Sequence, residues 1–537
     1  MSKCRLSFAL AAQFCVPIVC LGLSLLYTGC GKNEELVERS IGRELAQQHC
    51  ITCHSVPEAG LLPKASWDFT LTYMGFFLGV VDYSYLDGSS ERTMEVIEAR
   101  EEFVRAAHLL PQQPLLSEKQ WKTLREYYVS NAPEVGIPQM EKPQVIEDNS
   151  LFSVQSLQYR QQAAITSLVS IDETNGFLLV HDSGAQRLTI LDKDLDFHDS
   201  HEAPGVFLVE ARSQEDEVYL LNIGDLFASE IGKSYGEIQH AKIRGGVHYG
   251  LKILLGGLHR PADFAFADFE NDGMEEILVS NFGDYTGNLS LFKHDPSTGE
   301  YLPEPEILST EPGIVKSEVS DFNDDGLLDI VVLMGAAREN LSILINDGDG
   351  SFSRKIIFEQ HPSYGYTGLV LRDFNNDGLM DIITLNGDNG DSDPYNTLKR
   401  DQGIRIYLSK GDLNFEESYF YPMYGVYGAE IEDFDLDGDL DIAAISFHPD
   451  FYPDKPENFV FLEQTTPLIF APKTHPATYN GRWLTMDSGD IDGDGDKDIV
   501  LGAAYSPVGM MANHEDKFLQ LVKEGPPLLF LENQTKD

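Results

Sequence analysis

The chain has 537 residues, 42% hydrophobic and 10% aromatic, enough for a large buried core and more than one domain. Its 39 Lys and Arg stand against 87 Asp and Glu, a formal net charge of −48, which excludes a basic surface for nucleic acid or anionic lipid. All six cysteines, Cys4, Cys15, Cys20, Cys30, Cys50 and Cys53, lie near the amino terminus, so the bulk of the chain has no disulfide, thiolate metal site or cysteine nucleophile.

Lys3 and Arg5 precede an uncharged stretch from Leu6 to Gly31, the charged and apolar regions of an export signal. The stretch ends in Leu26-Tyr27-Thr28-Gly29-Cys30, which resembles a bacterial lipoprotein box, with Tyr27 departing from the usual small aliphatic. The resemblance implies a signal peptide over residues 1–29 and a lipidated Cys30 as the first mature residue. An uncleaved membrane anchor is the alternative, and both place the remainder outside the cytoplasmic membrane, in the periplasm or at the cell surface.

Cys50-Ile51-Thr52-Cys53-His54 follows a helix-compatible run from Glu34 to His49 in which Leu36, Ile41 and Leu45 recur at helical spacing. C-x-x-C-H lets two thiols add to the vinyl groups of a haem while the adjacent imidazole turns onto the iron. A redox dithiol would need a βαβ pattern that is missing here. Ser117 caps a second helical run that places Trp121, Leu124 and Tyr128 on one face. This run is similar to the closing helix of a class I cytochrome c domain, which packs across the first helix. The resemblance implies an all-α haem domain over 30–135 with a second iron ligand. Met74 is the choice among Met74, Met94, His108 and Met140, because Trp67 to Gly75 reads as a helix end with Trp67 and Met74 on one face. Gly75 is expected to free the backbone for close approach to the haem.

After a Pro-rich linker, placed at 136–150, the chain becomes self-similar. Asp268-Phe269-Glu270-Asn271-Asp272-Gly273 is followed by related hexamers beginning at Asp321, Asp373, Asp433 and Asp490, each leading to an acid and an aliphatic run. Oxygens at loop positions 1, 3, 5 and 9, a carbonyl at 7 and glycine at 6 make a hard-oxygen cage suited to calcium, so up to five ions are expected. The five ligand sets are Asp268, Glu270, Asp272, Met274 and Glu276; Asp321, Asn323, Asp325, Leu327 and Asp329; Asp373, Asn375, Asp377, Leu379 and Asp381; Asp433, Asp435, Asp437, Asp439 and Asp441; and Asp490, Asp492, Asp494, Asp496 and Asp498. The first is the weakest, having Glu270 and Glu276 where shorter side chains are usual.

Each cage lies between two strand patterns and two more strands follow, for instance Ile404 to Leu408 and Phe415 to Phe420, the content of a propeller blade. The repeats resemble the FG-GAP/VCBS family, whose integrin-α relatives are seven-bladed propellers with calcium between the first two strands of a blade. That implies an all-β propeller over 151–537, with two cage-free blades at Ile165 to Leu191 and Val206 to Leu254, and with Pro527 to Glu532 closing the ring against the first blade. On the face opposite the cages the reading collects Asp388, Asp391, Asp393, Lys399, Arg400, His448, Asp450, Arg260, Tyr364, Tyr366, Tyr424, Tyr427, Arg482 and Trp483 as a binding rim, with Tyr424 and Trp483 also suited to plug the central channel. The whole arrangement is similar to haem-bearing FG-GAP/VCBS proteins of environmental bacteria. It leads to an electron-transfer protein whose propeller docks a redox partner or ligand. The alternatives are an oxidoreductase with its active site on the propeller, and an adhesion or carbohydrate-binding module with an accessory haem. No catalytic triad, P-loop or histidine metal motif stands out.

Overall fold

The computed structural model describes residues 40–536 except 215, 225–234, 245–246, 284–285, 337 and 390–393. Cys30, the expected signal peptide, Leu36, Asp391 and Asp393 lie outside the described residues. No helix among those described is long and apolar enough to cross a membrane.

Four helices form the amino-terminal domain: α1 (residues 40–49), α2 (Lys64–Phe77), α3 (Glu91–Ala106) and α4 (Glu118–Asn131). Ser117 caps α4 reciprocally with Gln120, the two side chains satisfying backbone N–H groups that the first turn leaves open. α1 and α4 cross at Gly42, where a Cβ would run into the Tyr127 Cβ, so glycine permits the close approach. Leu45, Ala46, Trp67, Leu71, Trp121, Leu124 and Tyr128 share one buried cluster, against which Cys50 packs. A second cluster joins α2 and α3 through Phe69, Phe76, Ile97 and Val104. α2 runs on through Gly75 to Phe77 and ends before Gly79, whose φ of 74° reverses the chain. The helix end thus falls two residues beyond Gly75, whose carbonyl in the last turn accepts from the Leu78 and Val80 N–H groups.

Residues 166–533 build seven antiparallel sheets arranged as the blades of a propeller, with the first strand of each blade innermost, where it meets its neighbours' first strands. Blades one and two span Thr166–Glu202 and Leu208–Leu258 and carry no cage; blades three to seven carry one each. Second strands such as Asp329–Met334, Asp381–Asn386 and Asp441–Ser446 are buried at every position, because a neighbouring blade covers each face. This accounts for unbroken aliphatic runs in place of alternation.

The ring closes differently from the expectation. Leu528–Asn533 is the third strand of blade seven, and its outer partner is Phe152–Gln155, a segment that precedes the first blade. Ser153, 379 residues away, donates its hydroxyl to Glu532 at 3.1 Å. Helix α5 (Glu515–Glu524), inserted between the second and third strands of that blade, has no counterpart in the sequence reading.

The stretch between the domains is fixed rather than free. Lys142 pairs with Glu457 at 2.5 Å, Tyr424 accepts from the Gln139 N–H at 3.2 Å, and Ile146–Glu147 adds a parallel strand to the outer edge of blade six. The helical domain meets the propeller through Ser66 and Thr397 (2.6 Å), the Ser55 hydroxyl and the Gln360 carbonyl (2.9 Å), and Phe69 against Tyr395.

The innermost strands line the channel with Glu210, Arg212, Asp263, Lys316, Glu318, Arg372, Glu430, Glu432 and Asp487. Arg212 bridges Glu210 (2.9 Å) and Asp263 (3.3 Å), whereas Asp487 accepts from the Ile171 and Ser488 N–H groups at 2.7 and 2.9 Å and Lys316 is the cation that acts on both Glu430 and Asp487.

Candidate functional site

The C-x-x-C-H segment sits at the carboxyl end of α1, where the Cys50 N–H still donates to the Ala46 carbonyl at 2.8 Å and the Cys53 and His54 N–H groups turn back to the Cys50 carbonyl. Both thiols are free, Cys50 half-buried and Cys53 exposed. Burial, then the neighbouring Cys53, pushes the Cys50 thiol up to about 11. His54 Nδ1 lies 2.8 Å from the Ser55 carbonyl, an arrangement in which Nδ1 carries the proton and Nε2 is the free donor atom. Burial lowers the basicity of His54, which favours the neutral imidazole that binds a metal.

Of the candidate second ligands, Met94 packs in the α2–α3 cluster, Met140 is 62% exposed, and His108 follows α3 in a left-handed conformation. Met74 is half-buried on α2, on the stripe that also carries Trp67, Leu71 and Leu78, and belongs to neither buried cluster. The space beside Gly75 is taken by the Val80 carbonyl and the Trp121 indole, which a Cβ would meet at 2.9 and 3.1 Å, so that glycine serves helix packing rather than approach to a ligand.

The five acidic loops share one backbone path. Glycine 6 of each has φ between 85° and 98°, and position 4 is also left-handed, at Asn271, Asp324, Asn376, Leu436 and Gly493. The sequence reading missed position 4, since no single residue type marks it. The curl aims N–H groups inward: the glycine donates to the first aspartate in all five, as from Gly326 to Asp321 Oδ2 at 2.8 Å, and residues Met274, Leu327, Leu379, Asp439 and Asp496 donate to the carboxylate at position 5.

Three carboxylates converge in each of the last two loops, where Asp433, Asp435 and Asp437, and likewise Asp490, Asp492 and Asp494, offer oxygens within 4.8 Å of one another. The Asp321 and Asp373 loops have asparagine at position 3, and Asn323 and Asn375 donate to Asp325 and Asp377. In the Asp268 loop, Glu270 instead pairs with Lys293 at 2.9 Å.

The acids at position 9, Glu276, Asp329, Asp381, Asp441 and Asp498, are all buried. Asp329 and Asp381 each accept two backbone N–H groups, from their own loop and from the third strand, so they tie the hairpin to its blade whether or not a cation is bound. Asp441 differs: Oδ1 accepts from the Gln464 N–H, but Oδ2 is buried without a partner, as are Asp433 Oδ1 and Asp439 Oδ1. Three orphaned carboxylate oxygens in one loop fit a cation. Burial, then the neighbouring aspartates, pushes Asp441 up to about 8, and burial pushes Asp498 to about 7.

The supposed binding rim is largely internal. Tyr364, Tyr366, Lys399, His448, Arg482 and Trp483 are buried. Arg482 donates to the carbonyls of Phe447, Ser506 and Val508, and Trp483 Nε1 to the Thr478 carbonyl, in the seam between blades six and seven rather than in the channel. Tyr424 is held by the linker. Arg400 and Tyr452 remain exposed on that face.

Residues 321–384 match the model of an FG-GAP-like repeat, a span that holds the whole of the Asp321 and Asp373 loops. No curated protein matches the chain. Solved structures resembling it include BBS1N in complex with ARL6DN (12% identity, TM-score 0.39, covering 68% of this chain and 91% of that one). Another is Sqt1 of Saccharomyces cerevisiae, at 9% identity, TM-score 0.38, and 68% and 83% coverage. The chain thus contains an FG-GAP-like repeat within a seven-bladed propeller.

Proposed function

We propose that the chain is an exported, lipid-anchored c-type haem protein that transfers electrons. Its propeller, stabilised by up to five calcium ions, docks a redox partner or ligand on the face opposite the cation loops. The observation that carries the haem reading is the end of α1: two free thiols at the required spacing, and an adjacent histidine whose Nδ1 is engaged by the Ser55 carbonyl so that Nε2 is available. When bound there through Cys50 and Cys53, a haem supplies one-electron transfer. The helical domain contributes an apolar wall of Trp67, Leu71 and Leu124 that excludes water, and Met74 as the second ligand. The orphaned oxygens of the Asp433 loop support the calcium reading.

The test is an optical redox titration of the purified full chain after a haemochrome assay in denaturant. A covalent c-type haem with the weak far-red band of sulfur ligation, lost in Met74→Ala, is the expected result. A five-coordinate iron that binds small ligands would replace electron transfer with ligand chemistry, and absence of covalent haem would end the reading.

A further inference from the structure

A strap of residues 533–536 joins the ring-closing seam to two of the cation loops. Asn533, 1% exposed and paired with Phe152 across the seam, donates its N–H to Asp498 Oδ1 at 2.9 Å. Its side-chain amide bridges two blades, reaching the Lys497 carbonyl of the Asp490 loop at 3.1 Å and the Phe434 carbonyl of the Asp433 loop at 2.8 Å. Thr535 donates its hydroxyl to the same Phe434 carbonyl at 3.3 Å, and the Lys536 N–H donates to Asp496 Oδ2 at 2.9 Å. The Phe434 ring in turn packs on Phe152, on the other edge of the seam.

These are the two loops in which three carboxylates converge, and both have aspartate at positions 1, 3, 5, 7 and 9. In the Asp433 loop Asp441 is fully buried and its Oδ2 has no partner, nor have the buried Oδ1 atoms of Asp433 and Asp439. Without a counter-charge such carboxylates repel one another, and a loop that opens withdraws both the Phe434 carbonyl and the Phe434 ring from the seam. A cavity of about 210 Å3, lined by Asp435, Lys473, Gln534 and Thr535 among others, borders loop and strap alike, so hydrogen bonds rather than close packing hold the strap there. Asn346 makes the same bridge inside the ring, donating its N–H to Asp329 and its amide to the carbonyls of Phe269 and Leu328, where no seam depends on it.

We propose that the cations of the Asp433 and Asp490 loops operate the seam: when bound they hold both loops in the shape that grips the strap and Phe152–Gln155, and their loss opens the seam while the other blades stay folded. This rests on the calcium reading above. Blades four and five keep the carboxylates of Asp329 and Asp381 paired with backbone N–H groups without a cation. The seam is then a local opening unit whose free energy is set by calcium, rather than a strand pair that opens only with the whole ring.

The experiment follows amide hydrogen exchange of the full chain by mass spectrometry, in calcium at about a hundredfold excess over Kd and in chelator, after calorimetry has established calcium binding. It compares the wild type with a seam variant, Asp437→Asn together with Asp494→Asn, and with a control variant, Asp325→Asn together with Asp377→Asn. The expected result is that chelation speeds exchange in Phe152–Gln155 and Leu528–Asn533 by roughly a hundredfold while Asp329–Met334 stays protected. The seam variant should show the same pattern in calcium, and the control variant should not. Calcium binding with seam protection unchanged by chelator, or protection lost equally in every blade, would overturn the inference and leave the calcium reading standing. Because the chelator comparison needs only the wild type, a variant that fails to fold does not protect the proposal, and absence of calcium binding defeats both.

Discussion

Single carboxylates in this protein are perturbed mainly by where the backbone puts them. Glu430 and Asp487 are shielded from bulk water in the channel and lie near each other, so both are pushed above the ordinary carboxylate range, by burial first; for Glu430 the charge of Asp487 follows. The other charged groups facing them are Lys316 across the lumen, the Arg372–Glu432 pair, and Glu173. A carboxyl whose folded pKa is raised contributes stability that is present below its unfolded value of about 4 and is lost as pH rises through the folded value. With calcium saturating, denaturant unfolding should therefore show wild-type stability falling between pH 5 and 8 more steeply than that of the double variant Glu430→Gln, Asp487→Asn. The gap should reach on the order of 1 kcal/mol per group. Parallel pH profiles would mean that both carboxyls titrate normally.

At the scale of the element, the second position of each loop does work that the calcium reading passed over. Phe269 packs on Phe352, Phe322 on Phe415, Phe374 on Phe470, and Phe434 on Phe152, in each case reaching the outer strand of the next blade. The loop is a bolt between blades as well as a cage. Phe434 is fully buried and also meets Phe461, so Phe434→Ala should cost about 3–5 kcal/mol of unfolding free energy, measured in calcium, with the other loops' affinities unchanged. A loss below about 1 kcal/mol would show that the blades hold together without it. The recurrence of an aromatic at this position was visible in four of the five hexamers; its role was not, because the partner ring lies more than 80 residues further along in three cases and before the first blade in the fourth.

Across the whole molecule, the blades with acidic loops were legible because their turn chemistry and aliphatic runs are local, and blades one and two because short aliphatic runs such as Phe177–Asp182 and Glu217–Asn222 survive without a cage. The closing strand was not: Phe152–Gln155 has four residues, too few for a pattern, and only its distant partner makes it a strand. Burial along the expected binding rim was not legible for a related reason. Whether Tyr364, Lys399 or Arg482 is exposed depends on packing between loops of separate blades and on docking of the helical domain, neither of which leaves a periodic trace.

Metal removal is the test at this scale. Ions that bind only the folded ring stabilise it by about 2.7 kcal/mol per site at a hundredfold excess over Kd. Calorimetry should find calcium binding strongest in the Asp433 and Asp490 loops and weakest in the Asp268 loop, and a chelator should lower Tm by many degrees. An unchanged Tm would show that the backbone donors alone satisfy the loops.

The seam between Phe152–Gln155 and Leu528–Asn533 also dictates when the molecule can become whole. Its two halves leave the ribosome 379 residues apart, so blades can form in order of synthesis but the circle stays open until its latest strand is made. Pairing over such a separation is slow, in the millisecond-to-second range for non-local β-structure. During that interval the open edge of Leu528–Asn533 is free to take Phe152–Gln155 of another copy, so the misassembly this topology favours is a dimer joined by exchanged seams.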